Sequence, residues 1–391
     1  MTNYIVNSPQ TLLTGTTTND LFQLDTALAV SVFGIEGGDL LTGNATNYNQ
    51  AIINGGAGND TITFAATGSA TRASLIGGGG DDVFSGGFAS TAASFLLQGG
   101  GGNDTITISG GSGGTAATVN GNGGNDVIGF SASAFTNSLF AAGGGNDTIS
   151  GSFIGFNSST MIGGGGNDVI TGTISAGGTA AVIAGDTNSV QSEFDGNDTI
   201  ALISATSIAV GLIQGGGGND DITIEGLGSA TTVGGNAGND SIYLSAISGA
   251  VRAVVNAGGG DDVISGNFGG NQDMTVHGGG GNDTITLSAT NAAMSAITSY
   301  TFGGDGADIF TLQAGAGFST STTLNSVAYS NAGESNISAF DTVSGNGNGF
   351  SVAEFYLAAA TAVDTAQGTT ITATNGRVTF NNTFALGVTA R

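Results

Sequence analysis

The 391-residue chain has no cysteine, no tryptophan, no lysine and a single proline, and its only bases are Arg72, Arg252, Arg377 and Arg391. Without cysteine there is no disulfide framework and no thiolate chemistry, on either side of a membrane. Four bases against 29 acids leave a formal charge of −25, so most carboxylates have no protein cation to meet. That sign argues against nucleic acid as a partner, because phosphate contacts need a basic surface, and equally against anionic lipid. Long apolar runs are missing too. No segment approaches the roughly 18 to 20 apolar residues of a membrane helix, so no membrane insertion is expected. The opening "MTNYIVNSPQTLLTG" has neither the basic nor the apolar stretch of an ordinary cleaved secretory signal.

What the chain does have is glycine, 74 residues of it, and hydrophobic residues (39%) that alternate with polar ones as a disordered chain has no reason to do. The stretch "GGAGNDTITF" at 55–64 returns as "GGGGNDTITI" at 99–108 and "GGGGNDTITL" at 278–287. The Asp of this loop marks a period near 22 residues through Asp60, Asp82, Asp104, Asp126, Asp147, Asp168, Asp198, Asp220, Asp240, Asp262, Asp283 and Asp308. A fixed period of that size is the mark of a solenoid. Two and four residues after the Asp stand apolar side chains, as in Ile62 and Phe64, Ile106 and Ile108, Ile222 and Ile224, Ile285 and Leu287. This is the alternation of a half-buried strand. Where a Gly takes the second place, the next inward position is filled, as with Gly86 then Phe88, Gly151 then Phe153 and Gly266 then Phe268. A second strand precedes each glycine loop, with Leu75, Leu97, Val119, Phe140, Met161, Ile213, Val233, Val255 and Val276 pointing inward.

Each coil is thus two short strands joined by two turns. The expected fold is an all-β parallel solenoid, with two sheets face to face around a thin core and a rod length of about 60 to 70 Å at roughly 4.8 Å per coil. Three segments are expected: an N-terminal cap of atypical coils over 1–50, with the degenerate loops "GTTTNDLFQ" and "FGIEGGDLL"; the regular roll over 51–312; and a C-terminal cap over 313–391, in which Asp341 begins one last degenerate coil.

Stacked turns bring the twelve Asp carboxylates to about 5 Å spacing, where neighbours repel by roughly 1 kcal/mol even at the dielectric constant of water. A divalent cation in each gap removes the conflict. Oxygen ligands on a flexible loop suit Ca²⁺, at about one ion per coil, whereas one His and no Cys do not suit zinc. The expected ligands are the twelve Asp and the carbonyls of loop glycines such as Gly56, Gly58, Gly78, Gly80, Gly100 and Gly102. These must adopt conformations that a Cβ forbids.

The loops "GGAGNDTIT", "GGGGDDVFS", "GGGGNDVIT", "GGGGNDDIT" and "GGGGNDTIT" resemble the nonapeptide of RTX (repeats-in-toxin) calcium-binding β-roll proteins, with "EFDGNDTIA" and "GNAGNDSIY" fitting in part. The resemblance covers about two thirds of the chain, residues 55–311. It implies a right-handed β-roll, Ca²⁺ held between successive turns, and type I secretion from an uncleaved C-terminal signal, for which "VTFNNTFALGVTAR" is the candidate. Many RTX blocks carry ion loops on both edges; with one loop per 22 residues, only one edge here is expected to bind ions.

Catalysis is not expected. His277 stands alone on an outward position, no Ser/His/Asp set can be assembled, and the pairs Asp81/Asp82 and Asp261/Asp262 lie inside the ion loop rather than in a glycosidase cleft. The remaining reading is a secreted, calcium-stabilised structural protein of the bacterial cell surface or extracellular matrix, similar to S-layer and "beta strand repeat" surface proteins. Its partners would be further copies of itself, in a filament or lattice, and cell-surface polysaccharide. The alternative is a calcium-dependent adhesin or ice-binding module using the row Asn59, Asn103, Asn125, Asn146, Asn167, Asn197, Asn219, Asn239 and Asn282, although within the regular roll Thr-Ile-Thr occurs only at 61–63, 105–107 and 284–286.

Overall fold

A computed structural model describes residues 2–6, 12–24, 30–43, 49–66, 70–88, 92–109, 114–174, 181–186, 195–208, 211–228, 230–246, 251–268, 272–289, 297–314, 323–327, 342–346, 371–374 and 377–380. The chain divides into two compact units, Met1–Ile203 and Ser204–Arg391. Among the described residues there are strands and turns but no helix.

In the first unit Thr2–Val6, Asp20–Leu24, Leu40–Gly43, Thr61–Ala66, Val83–Phe88, Thr105–Ser109, Val127–Thr136, Thr148–Asn157 and Val169–Ile174 pair in parallel, each with the strand one coil on. A second parallel sheet is built from Leu12–Thr14, Ser31–Glu36, Ile52–Ala57, Ser74–Gly79, Leu96–Gly101, Thr118–Gly123, Leu139–Gly144, Thr160–Gly165 and Val182–Asp186. The second unit repeats the plan. Asp221–Leu227, Ser241–Ala246, Val263–Phe268, Thr284–Ala289, Ile309–Ala314 and Thr342–Asn346 make one sheet. Leu212–Gly217, Thr231–Ala237, Val251–Gly259, Gln272–Gly280, Ile297–Asp305 and Thr323–Val327 make the other. The protein is therefore a parallel β-solenoid of about 21 residues per coil. Asp341 lies outside the described residues, but Thr342–Asn346 directly after it pairs with Ile309–Ala314. Near the C-terminus Ile371–Thr374 and Arg377–Phe380 form an antiparallel ribbon.

The alternation in sequence becomes alternation in burial. All the inward residues named for the second strand, from Leu75 to Val276, are buried, as are Ile62, Phe64, Ile106, Ile108, Ile222, Ile224 and Ile285. Burying each such side chain contributes about 1.5–3 kcal/mol. Leu287 departs from the expectation and is only half-buried. Phe153 is buried as expected, whereas the side chains of Phe88 and Phe268 are not among those described.

How a coil tolerates Gly on its inner face has a second answer, from the coil before. A methyl on Gly86 would run into the ring of Phe64 at 2.6 Å, and one on Gly172 into the ring of Phe153 at 2.6 Å. The large ring thus leans over the glycine of a neighbouring coil, and the pair fills two layers. Coils 127–136 and 148–157 also depart from the two-strand plan. Each runs as one ten-residue strand, with register shifts around Ser133 where the far turn was expected. Phe135 and Phe156 are buried in these extensions and join Phe130, Phe140 and Phe153 in a cluster with ring centroids 4.7 to 5.8 Å apart.

Candidate functional site

The edge that carries the glycine loops is built by two backbone reversals per coil. Gly56, Gly58, Gly78, Gly80, Gly100 and Gly102 have φ of 109°, 117°, 121°, 120°, 128° and 120°, so all six sit in the left-handed region. The first of the two positions also accepts Ile35, Asn122 and Asn236, at φ of 95°, 80° and 84°. At the second a Cβ meets backbone: a methyl on Gly102 would collide with the carbonyl of Gly80. Gly101, between them, is not left-handed, and a methyl added there would find nothing within 4 Å. Gly102→Ala is therefore expected to destabilise the loaded fold by about 1–3 kcal/mol, and Gly101→Ala to leave it unchanged or slightly firmer. Thermal unfolding in calcium of the two single variants checks the contrast.

These reversals turn the Asp side chain inward. All twelve Asp residues named from the sequence are buried, none more than 2% exposed. Within each unit the Asp reaches back to the preceding coil. In the first unit the Oδ1 atoms of Asp60, Asp82, Asp104, Asp126, Asp147, Asp168 and Asp198 accept from the backbone N–H of Asp39, Asp60, Asp82, Asp104, Asp126, Asp147 and Asp168, at 2.6 to 2.8 Å. In the second, those of Asp240, Asp262, Asp283 and Asp308 accept from Asp220, Asp240, Asp262 and Asp283, at 2.7 to 2.9 Å.

Two further Asp, in the degenerate loops of the N-terminal cap and outside the expected ligand set, join the column. Asp39 is buried and accepts from the N–H of Asp20 at 2.7 Å, and Asp20 is fully buried in the same column. Their loops lack the paired glycines, but the Asp followed by Leu-Phe-Gln-Leu or Leu-Leu-Thr-Gly keeps the inward strand alternation that could have located them.

The residue before each Asp makes a second ladder in the opposite direction, on the exposed side. Asp81 donates its N–H to Asn59 Oδ1, Asn103 to Asp81 Oδ1, Asn125 to Asn103, Asn146 to Asn125, Asn167 to Asn146 and Asn197 to Asn167, at 2.7 to 3.0 Å. The second unit continues likewise through Asn219, Asn239, Asp261 and Asn282. The Asn row therefore staples coils, and Asp81 and Asp261 do the same work with a carboxylate oxygen.

The buried row is electrostatically incomplete. Oδ2 of Asp39, Asp60, Asp82, Asp104, Asp126, Asp147, Asp168, Asp240 and Asp262 is buried with no hydrogen-bond partner, and an unmet buried charge costs at least about 1–3 kcal/mol. Burial, outweighing the backbone hydrogen bond that each accepts, pushes Asp60, Asp104, Asp147 and Asp240 up to about 6. The same cause brings Asp82, Asp198 and Asp262 to about 7 and Asp168 to about 8, with like charge on adjacent acids adding to it.

What faces these oxygens is more oxygen. A methyl placed on Gly77 would meet both Asp82 Oδ2 and the Gly99 carbonyl; on Gly121, Asp126 Oδ2 and the Ala142 carbonyl; on Gly278, Asp283 Oδ2 and the Gly303 carbonyl. One small space per coil is thus bounded by a carboxylate oxygen and by the next coil's carbonyl. Ala142 and Ala257 stand at this position in the Asp147 and Asp262 loops, both fully buried. Among the described residues no three acidic or histidine side chains converge, so a cation at this edge has one carboxylate per coil and backbone carbonyls to rest on. An all-oxygen set of that kind fits a hard cation. His277 lies on the adjoining strand, half-buried and in register with Asn256 and Phe302.

Fold and edge together define a parallel β-solenoid with a buried carboxylate ladder along one side. Comparison with protein-family models gives no match, and neither does comparison with curated proteins. Among solved structures, the X-ray crystal structure of a hyperactive, Ca²⁺-dependent, β-helical antifreeze protein from an Antarctic bacterium is similar at 16% identity, over 85% of this chain and 92% of that one, with a TM-score of 0.35. A likeness at that level carries no argument about function.

Proposed function

We propose that the chain is a calcium-stabilised solenoid that acts outside the cell as a structural protein of the bacterial surface or matrix. The observation that carries this reading is the row of buried Asp Oδ2 atoms without a partner, of which those of Asp39, Asp82, Asp104, Asp126, Asp168 and Asp240 lie beside a carbonyl of the next coil. The residues that would hold Ca²⁺, about one ion per coil, are Asp39 and the twelve Asp from Asp60 to Asp308, with loop carbonyls such as those of Gly99, Ala142 and Gly303. A bound ion supplies positive charge to a buried carboxylate that has none nearby. Sites of modest affinity fill at extracellular calcium levels and not at cytosolic ones, so binding free energy becomes folding free energy on export. RTX-type secretion, S-layer-like self-association through further copies, and contact with surface polysaccharide belong to this reading, as does the lack of a catalytic role. A calcium titration followed by far-UV circular dichroism and light scattering tests it: β structure and large assemblies should appear together near millimolar calcium. Calcium-independent β structure at neutral pH would sink it.

A second reading, ice or lattice binding, gains from a feature hidden in the sequence. Thr61, Val83, Thr105, Val127, Thr148, Val169 and Thr199 are successive register partners, with Val83, Val127 and Val169 36 to 43% exposed. Val and Thr have the same shape, so the interrupted Thr-Ile-Thr pattern becomes one continuous uncharged column at about 4.8 Å spacing. Under this reading Val127→Lys abolishes thermal hysteresis of the calcium-loaded protein without changing its calcium content. A loaded wild type with no hysteresis returns the column to a self-association role.

A further inference from the structure

The loop of Asp20 shares its column with the others and differs from them in chemistry. Where its neighbours place glycine in the left-handed region, this loop has Thr16 and Thr18, and neither is left-handed. The consequence is that Thr16 presents donors to the carboxylate. Asp20 Oδ2 accepts from the Thr16 N–H at 2.7 Å and from the Thr16 hydroxyl at 2.9 Å. Oδ1 accepts from the Thr2 N–H at 3.0 Å, just as Asp39 and Asp60 accept from the coil before them. The hydroxyl is itself held, since it accepts from the Thr18 N–H at 3.3 Å and lies 3.0 Å from the Thr18 hydroxyl; the Thr18 carbonyl, at 3.2 Å, is the other and longer acceptor for its one proton.

We propose that Asp20 closes the N-terminal end of the ladder without a cation, Thr16 supplying to its Oδ2 the positive end of two dipoles where the later Asp residues are left to a metal ion. The calcium array then begins at Asp39, and the first coil is a staple whose closure does not wait for calcium. This rests on the reading of the other loops as calcium sites.

Two observations of geometry bear on it. The space over the preceding glycine is present here too, since a methyl on Gly15 would meet the Gly34 carbonyl and, at 2.8 Å, Asp20 Oδ2. The approach of carbonyl and carboxylate is therefore not what distinguishes this loop; the donors are. Asp39, one coil later, has Ile35 at φ 95° and Gly37 at φ 104° in the ordinary loop conformation, and its Oδ2 has no partner.

Native mass spectrometry of the full chain at saturating calcium reads the outcome as a count of bound ions. Asp20→Asn should leave the count at the wild-type number, whereas Asp60→Asn should lower it. Thr16→Val, which removes the hydroxyl and keeps the shape, should also leave the count unchanged while raising amide exchange over residues 2–24, and Thr16→Ser should restore protection. A Thr16→Gly/Thr18→Gly chain, given the glycines of the other loops, should take up one more ion. If Asp20→Asn or Thr16→Val loses an ion, the first loop is an ordinary site and the inference is overturned. A wild type that binds no calcium at all overturns the calcium reading itself, and this inference with it, which separates the two failures.

Discussion

Chelating calcium at neutral pH is expected to cost the chain its β structure, and acidifying the chelated chain toward pH about 4 is expected to restore it. The sign follows from the direction of the shifts. In the fold, Asp60 stands at about 6, Asp82 at about 7 and Asp168 at about 8, against 3.8 for the free side chain, chiefly because burial penalises the ionised form. Between those values the folded state holds protons that the unfolded state has released. Metal-free stability is therefore greatest at or below the unfolded value and is lost as pH rises through the folded ones. A proton at low pH and a calcium ion at neutral pH answer the same deficit. Asp20 runs the other way, its contribution being present above its usual value and lost in acid, but it is one group against a row. Far-UV circular dichroism in a chelator across pH 3.5–8 measures the effect. A chelated chain as well folded at pH 8 as in calcium would remove the physical basis for ion binding at this edge.

Much of the fold was legible because solenoid physics is local. The period near 22, the inward Ile, Leu and Val, and the glycine pairs each report on one coil, and each coil repeats the report. What stayed hidden concerns contacts between coils. That Phe64 covers Gly86, and that Thr61, Val83 and Thr105 form one column, depends on which residues the register sets side by side. Leu287 reads as inward from its spacing, yet is half-buried in register with Gly266, a neighbour without a side chain that the spacing within one coil does not reveal. The sequence places Asp20 and Asp39 in degenerate cap coils but not among the ligands, because their loops lack the full glycine pair that marks the motif elsewhere. In the Asp20 loop the carboxylate's partner is a threonine, so the glycines have no purpose there. The Asn row was visible, but its direction of hydrogen bonding, forward while the Asp row bonds backward, exists only once the coils are stacked.

Asp104→Asn is expected to reverse its sign with calcium. Asn retains an oxygen to accept the Asp82 N–H now bound at 2.8 Å, so the link to the preceding coil survives. The second oxygen becomes an NH₂ group. Near Gly99 that group faces the Gly121 carbonyl, which lies 2.8 Å from a methyl built on Gly99, and it can donate where Oδ2 could only repel. In calcium, the variant loses one ligand charge and with it one ion, a loss of about 2.7 kcal/mol for a site held at a hundred times its dissociation constant. In a chelator, it removes a buried charge without a partner, a gain on the order of 1–3 kcal/mol. The loaded melting temperature should therefore fall, while the pH at which the chelated chain unfolds should move upward. Asn103→Ala is the control, since it removes the outer staple to Asn125 and should weaken both states by about 1 kcal/mol. If Asp104→Asn destabilised both states alike, the carboxylate would be a structural hydrogen-bonding group and not a seat for a cation. Opposite signs in the two conditions have no source other than a charge that the fold cannot satisfy from its own atoms.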